Sequence, residues 1–171
     1  RDHYATEQHL RASGMAFTFR RDNLYSDFLP ALAGPDGVIR GPAGDGRVAA
    51  VAQDDIAEAA AAVLLDPSEH VNVSYALTGP AALSLDEVAS ILTAHEGRPI
   101  SYEAETVAQA YLSRASYGAP DWQLDAWVST YTAIAAGELA GVTDDVARLT
   151  GHPATSFADL LAGAGSAYGD Q

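Results

Sequence analysis

The sequence predicts an α/β fold in which alternating strands and helices give way, near Gly79, to a mostly helical region. Three observations carry that expectation. Residues 3–25 read as a helix, a glycine stop, a buried strand and a polar turn, the second half of a crossover unit. Strand and helix signals then alternate as far as Gly79, and helical signals dominate beyond it.

The first helix rests on Ala5, Leu10 and Ala12 set among polar residues, with Ser13-Gly14 where a helix should stop. Residues 15–20 alternate weakly and are rich in Phe and Thr, as a strand requires. Residues 24–32 form a short helical stretch ending at Gly34-Pro35-Asp36-Gly37, a strong turn signal. Val38-Ile39 and residues 48–51 are short strands, and the glycine cluster 41–46 between them reads as a hairpin. Asp54 and Asp55 are expected to cap an alanine-rich helix over residues 56–65, where acidic groups favour the helix N-terminus; Pro67 stops it. Residues 71–77 alternate with period two and end at Thr78-Gly79, so they form a strand. Ser84-Leu85-Asp86-Glu87 is a capping box opening a helix through His95, which Gly97 closes. Residues 100–103 are a further strand. Residues 106–114, 122–139, 144–149 and 157–161 make up the helical region, and residues 163–171 read as a frayed tail.

Composition narrows the function. The chain has 171 residues, enough for one ordinary core, and a net charge of -14. Its nine basic residues are all arginine and form no stripe, which argues against nucleic acid and anionic membrane surfaces as partners. Lysine is absent, which removes Schiff-base chemistry and a phosphate-loop lysine. Cysteine is absent too, so neither disulfides nor thiolate catalysis is available, in keeping with a cytoplasmic location. No apolar run approaches the length that spans a bilayer.

Several motifs follow one another in a telling order. They are His3-x-x-Thr6-Glu7-x-x-Leu10-x-x-Ser13-Gly14; Phe17-Thr18-Phe19-Arg20-Arg21 with Tyr25; Gly44-Asp45-Gly46-Arg47; Asp54-Asp55-Ile56-Ala57; Tyr75-x-Leu77-Thr78-Gly79 with Leu83-Ser84-Leu85; and Gly151-His152-Pro153-x-Thr155-Ser156. This series resembles the NmrA-like, atypical branch of the short-chain dehydrogenase/reductases, which includes NAD(P)H:quinone oxidoreductases and triphenylmethane reductases. The resemblance implies that residues 1–79 are the C-terminal portion of a Rossmann-like doubly wound sheet. It implies a small, mostly helical substrate domain over residues 80–162 and a tail over 163–171. It further implies NADP or NAD as cofactor, NADPH being favoured, with neither flavin nor metal. The expected activity is hydride transfer to a quinone-like or other conjugated small molecule, and a homodimer is compatible with it. A second implied reading is a non-catalytic, dinucleotide-binding redox sensor acting through a protein partner.

The family's glycine-rich phosphate turn has no counterpart among these residues, since neither G-x-G-x-x-G nor G-x-x-G-x-x-G occurs. Cluster 41–46 lies between strand signals instead of opening a helix, so it lacks the helix N-terminus a phosphate needs. The turn is expected before Arg1, within roughly three βαβ units of about 30 residues each.

The first candidate site is the turn Arg21-Asp22-Asn23-Leu24-Tyr25, because ligands of open α/β sheets sit at the carboxyl ends of strands. Asp22 and Asn23 would hold a carboxamide of the cofactor, Arg21 would position the segment, and Tyr25 would stack on a flat substrate. The same residues also suit a polar helix cap. Taking Glu7 as the family's glutamate puts the usual catalytic lysine at His3, an imidazole able to donate a proton near neutrality, or else a frayed terminal side chain. Trp127 and Tyr131, four residues apart, share a helix face that serves either the core or a pocket for a planar substrate. Trp122 stands off that face. His9, His70, His95 and His152 are isolated from one another, so no metal site is expected. Ser13, Ser84 and Ser156 lack the sequence of a nucleophile elbow.

Overall fold

A computed structural model describes residues 2–163; the expected tail beyond Gly163 lies outside the described residues. The elements run α1 (Asp2–Ala12), β1 (Thr18–Asp22), β2 (Val38–Gly41), β3 (Arg47–Val48), α2 (Gln53–Leu65) and β4 (Val73–Leu77). They continue with β5 (Leu83–Ser84), α3 (Leu85–Glu96), β6 (Ser101–Ala104), α4 (Val107–Arg114), α5 (Asp121–Ala135), α6 (Asp145–Thr150) and α7 (Phe157–Leu161).

The opening helix and strand form as their pattern dictates, with Gly14 at φ 75° turning the chain between them. β1 pairs in parallel with β4, from Thr18 opposite Val73 to Asp22 opposite Leu77, and α2 lies in the crossover between them. This is the α/β architecture expected. A core of Val51, Ala59, Val63, Tyr75, Leu77 and Val146 forms where α2 and α6 pack together and α6 reaches β4. A second core joins Leu29, Ile39, Val48, Leu85, Leu92 and Ile134, among others, beneath the helical region.

The glycine cluster is not a hairpin. It joins β2 to β3, but β2 pairs in parallel with β6 and β3 pairs antiparallel with β5. The backbone of β2 is taken up along its length by β6, and Tyr102 of β6 ties the connection down as well: its hydroxyl donates to Gly41 O at 2.7 Å and accepts from Ala43 N at 3.1 Å. Both pairings cross residue 79, so residues before and after the expected domain boundary share strand pairs and the larger core.

Four local expectations are also revised. Residues 24–32 form two single 3-10 turns, Ser26–Phe28 and Pro30–Leu32, because Pro30 has no N–H to continue a helix. The strand expected over residues 48–51 shrinks to Arg47–Val48, and Val51 makes a lone parallel bridge to Tyr25. Neither Asp54 nor Asp55 caps α2. Its N-cap is Ala52, and Asp27 from the preceding turn accepts from Gln53 N at 2.9 Å. Asp55 is buried and accepts from Thr155 N at 2.7 Å and Thr155 Oγ1 at 2.8 Å, fastening the last segment to α2. The Ser84–Glu87 capping box is formed as expected, and Gly97 ends α3 at φ 68°. Helix α5 stops at Ala135, before the expected Leu139, and Gly137 follows with φ 76°.

Candidate functional site

β1 and β4 end side by side at Asp22 and Leu77, and the chain beyond β1 is held there by backbone bonds. Asn23 N donates to Leu77 O at 3.0 Å, Val51 N to Leu24 O at 2.9 Å and Ser26 N to Val51 O at 2.9 Å. Asn23 reinforces the turn: its Nδ2 donates to Leu139 O at 3.0 Å, and its Oδ1 accepts from Leu24 N at 2.7 Å. Strand end, turn and the segment after α5 are thereby tied together through one amide side chain.

A cavity of about 470 Å³ opens at this strand end, with Asp22, Asn23, Tyr25, Phe28, Thr130 and Leu139 in its wall. The rings of Tyr25 and Phe28 stand 5.7 Å apart. Crowding by the protein raises the pKa of the Asp22 carboxyl, and the charge of Arg20 opposes that rise. A second cavity of about 640 Å³ shares Leu24, Phe28 and Thr130 with the first. Its far wall includes Val38, Arg114, Tyr117, Trp127 and Tyr131, with Tyr117 and Trp127 meeting edge to face at 5.9 Å. The two spaces adjoin across Leu24, Phe28 and Thr130, one with Asp22 and Asn23 at the strand end and the other an aromatic chamber under α5.

Charge in the chamber is arranged by Arg114, which is only 8% exposed. It pairs with Glu105 at 2.9 Å and donates to Arg40 O at 2.7 Å and Ala110 O at 3.0 Å, and its guanidinium sits 5.1 Å from the centre of the Tyr131 ring. Burial raises the pKa of Tyr131, while Arg114 pulls it back by charge and hydrogen bonding. The Tyr131 ring lies flat on Gly41, where a Cβ would overlap it.

Of the residues singled out from the sequence, Asp22, Asn23 and Tyr25 line the strand-end cavity, and Trp127 and Tyr131 line the chamber. Arg21 lines neither; it forms a bidentate pair with Glu7 at 2.8 and 2.6 Å and so pins α1 to β1. That pairing lowers the pKa of Glu7, chiefly through the hydrogen bond from Arg21. His3 is exposed on the first turn of α1 and lines neither cavity. Sequence reasoning missed Phe28, Glu105 and Arg114. Only Phe28 carried a signal, as an aromatic three residues past Tyr25; the Arg114–Glu105 pair depends on how α4 docks against β2. Among the described residues no group of three or more His, Cys, Asp or Glu side chains is placed to hold a metal, and no helix is long and apolar enough to cross a membrane.

The parallel pairing, the crossover helix and the cleft at the strand ends define a Rossmann-like α/β protein with a helical cap. Comparison with known proteins is specific. The chain is 37% identical over 166 residues to the NAD(P)H azoreductase of Xenophilus azovorans, covering 95% of this chain and 58% of that protein. The NADPH complex of Escherichia coli quinone oxidoreductase QOR2 superposes with a TM-score of 0.85 at 31% identity, over 95% of this chain and 58% of that one. Citrobacter sp. triphenylmethane reductase with NADP(H) superposes with a TM-score of 0.81 at 29% identity, over 95% and 57%. No protein-family model matches the chain. The chain belongs to the NmrA-like, atypical branch of the short-chain dehydrogenase/reductases, and it spans somewhat more than half the length of the relatives it matches.

Proposed function

We propose that this chain forms the acceptor-binding portion of an NAD(P)H-dependent reductase that passes hydride to a quinone-like or other conjugated small molecule. The observation that carries the reading is the pair of adjoining cavities, one at the carboxyl ends of β1 and β4 with Asp22 and Asn23 in its wall and one lined by Tyr117, Trp127 and Tyr131, which we read as one bent cleft for a nicotinamide and a flat acceptor. The residues present suit the nicotinamide half of a dinucleotide. Asn23 keeps a second N–H and a second lone pair for a carboxamide after its two internal bonds. The glycine-rich turn that would cradle the pyrophosphate is not among these residues.

When bound, the dinucleotide supplies the hydride; the chain's own work is orientation and the exclusion of water. Asp22 and Asn23 fix the carboxamide edge, and Asn23 is itself held rigid by Leu24 and Leu139. Tyr25 and Phe28 close the bend with their rings, and Trp127 gives the acceptor a flat wall. NADPH as the preferred form, a cytoplasmic location and a homodimer belong to the same proposal. His3 would act as a proton donor only if α1 brought it closer to the cleft than it lies here.

The test is oxidation of NADPH by the protein carrying this chain, followed at 340 nm with a naphthoquinone, an azo dye and a triphenylmethane dye. Turnover with at least one acceptor, lowered at least tenfold by Asn23→Ala, is the expected result. Absence of turnover with all three overturns the reading. A nucleotide-dependent complex with another protein, formed without turnover, would favour the redox-sensor reading.

A further inference from the structure

The chamber wall carries four hydroxyl groups, and three of them are unsuited to act on a bound acceptor. Ser113 gives its proton to Ala110 O and Thr130 gives its proton to Ala126 O. Tyr117 is 70% exposed, at the rim. Tyr131 differs on every count. It is 8% exposed, it lines the chamber, and its hydroxyl donates to no protein acceptor among the described residues. That hydroxyl is not sealed away either, for Ser26 Oγ is the buried, partnerless side-chain oxygen among them.

The ring of Tyr131 has little freedom. Gly41 supports one face, and the Arg114 guanidinium stands 5.1 Å from the ring centre. Arg114 is in turn fixed by Glu105, Ala110 O and Arg40 O, so it is a rigid cation beside a fixed phenol. A guanidinium has only donors, so Arg114 cannot take up the phenolic proton as an acceptor. Its charge beside the ring also steadies the phenolate left after proton transfer.

We propose that Tyr131 is the hydrogen-bond and proton donor to the acceptor, with Arg114 as its positioning residue. The proposal rests on the reductase reading above. Hydride entering one end of a conjugated acceptor drives an electron pair onto the oxygen or nitrogen at the other end. The Tyr131 O–H bond then breaks as a new O–H or N–H bond forms on the acceptor, and the phenolate regains a proton from water after product leaves. The sum is one hydride from the dinucleotide and one proton from solvent delivered to the acceptor. The charged or titratable groups that face Tyr131 are Arg114 from α4, Glu105 from the segment before it, Tyr117 from the turn after it and Tyr102 from β6. A phenol is protonated at neutral pH, the state a donor requires, and burial pushes the Tyr131 pKa further up.

Tyr131→Phe tests this without disturbing the ring's seat on Gly41. Binding is measured by equilibrium dialysis, without and with NADP, using two probes of one shape, 2-methyl-1,4-naphthoquinone and 2-methylnaphthalene. Loss of one hydrogen bond should weaken quinone binding about 3- to 10-fold and leave naphthalene binding within about 2-fold. Equal loss for both probes, or no loss for the quinone, overturns the role of Tyr131 while leaving the reductase reading intact. Failure of wild-type protein to bind either probe overturns the acceptor chamber itself. As a second readout, the phenol of Tyr131 is followed by ultraviolet difference titration against Tyr131→Phe. Glu105→Gln should lower its midpoint, and an unchanged midpoint removes the charged pair from the device.

Discussion

Replacing Asp55 by alanine should loosen the whole C-terminal segment, and the size of the effect follows from two contacts. Asp55 is 2% exposed and accepts hydrogen bonds at 2.7 and 2.8 Å from the backbone and hydroxyl of Thr155. Hydrogen bonds to a charged group are worth about 1.5–3 kcal/mol each, and their loss leaves two partly buried donors on Thr155 without an acceptor. Discounting for water that reaches Thr155 once the segment frays, the expected loss is about 3–4 kcal/mol. That is a large share of the roughly 5–15 kcal/mol typical of a folded domain. With a urea slope of about 2 kcal/mol/M, the unfolding midpoint should fall by about 1.5–2 M. Circular dichroism during urea titration measures it, with Thr155→Val as a companion that loses only the hydroxyl bond. The double variant should resemble Asp55→Ala alone, because both changes act on one contact. A loss below about 1 kcal/mol, or additive single losses, would refute the claim that this pair fastens the last segment to α2. The consequence reaches the site, because α7 packs on the Ser26–Phe28 turn that closes the bend of the cleft.

Other perturbations have equally definite outcomes. Gly41→Ala puts a Cβ into the Tyr131 ring, so it should cost about 1–3 kcal/mol and reduce binding of flat aromatics to the chamber, read by thermal melting and dialysis. Glu105→Ala leaves the Arg114 guanidinium buried without its carboxylate and should cost about 3–5 kcal/mol, whereas exposed Glu103→Ala should cost under about 1 kcal/mol in the same melt. Ser84→Ala removes one half of the capping box on α3 and should cost about 1 kcal/mol in urea unfolding. His152 has its pKa raised, first by the hydrogen bond to Glu58 and then by that to Pro153 O. Because its folded pKa lies above the unfolded one, the contribution is complete below the unfolded pKa and disappears as pH rises through the folded pKa. Proton NMR titration should show the raised midpoint in wild type and its return toward the ordinary histidine value in Glu58→Gln.

How much was legible depended on whether the information was local. The parallel α/β class, the strand ending at Leu77, the Ser84 capping box and the glycine stop of α3 all arise from side chains acting on backbone within a few residues, so their pattern is written along the chain. The turn at Asp22–Tyr25 was legible for a similar reason, since the end of a parallel strand is where such folds place ligands, and the structure opens a cavity there. Trp127 and Tyr131 shared a face by helical spacing alone, and both reach the chamber.

Only tertiary structure decided the rest. Asp55 sits where a cap would, but its carboxylate meets Thr155, 100 positions away, a partner no local pattern encodes. Arg21 stands within the candidate turn, yet Glu7 captures it on the far side of β1. The glycine cluster has the spacing of a hairpin, but β2 pairs with β6 and β3 with β5, and Tyr102 of β6 holds the connection between them. Arg114 is an ordinary helix-terminal arginine in sequence and becomes a buried cation only when α4 docks against β2. The sequence by itself determined where most of the longer helices and the strand ending at Leu77 lie, because their signals come from neighbouring residues. Packing determined which side chains face the cleft, because a polar group far from water must find its partner wherever the fold brings one.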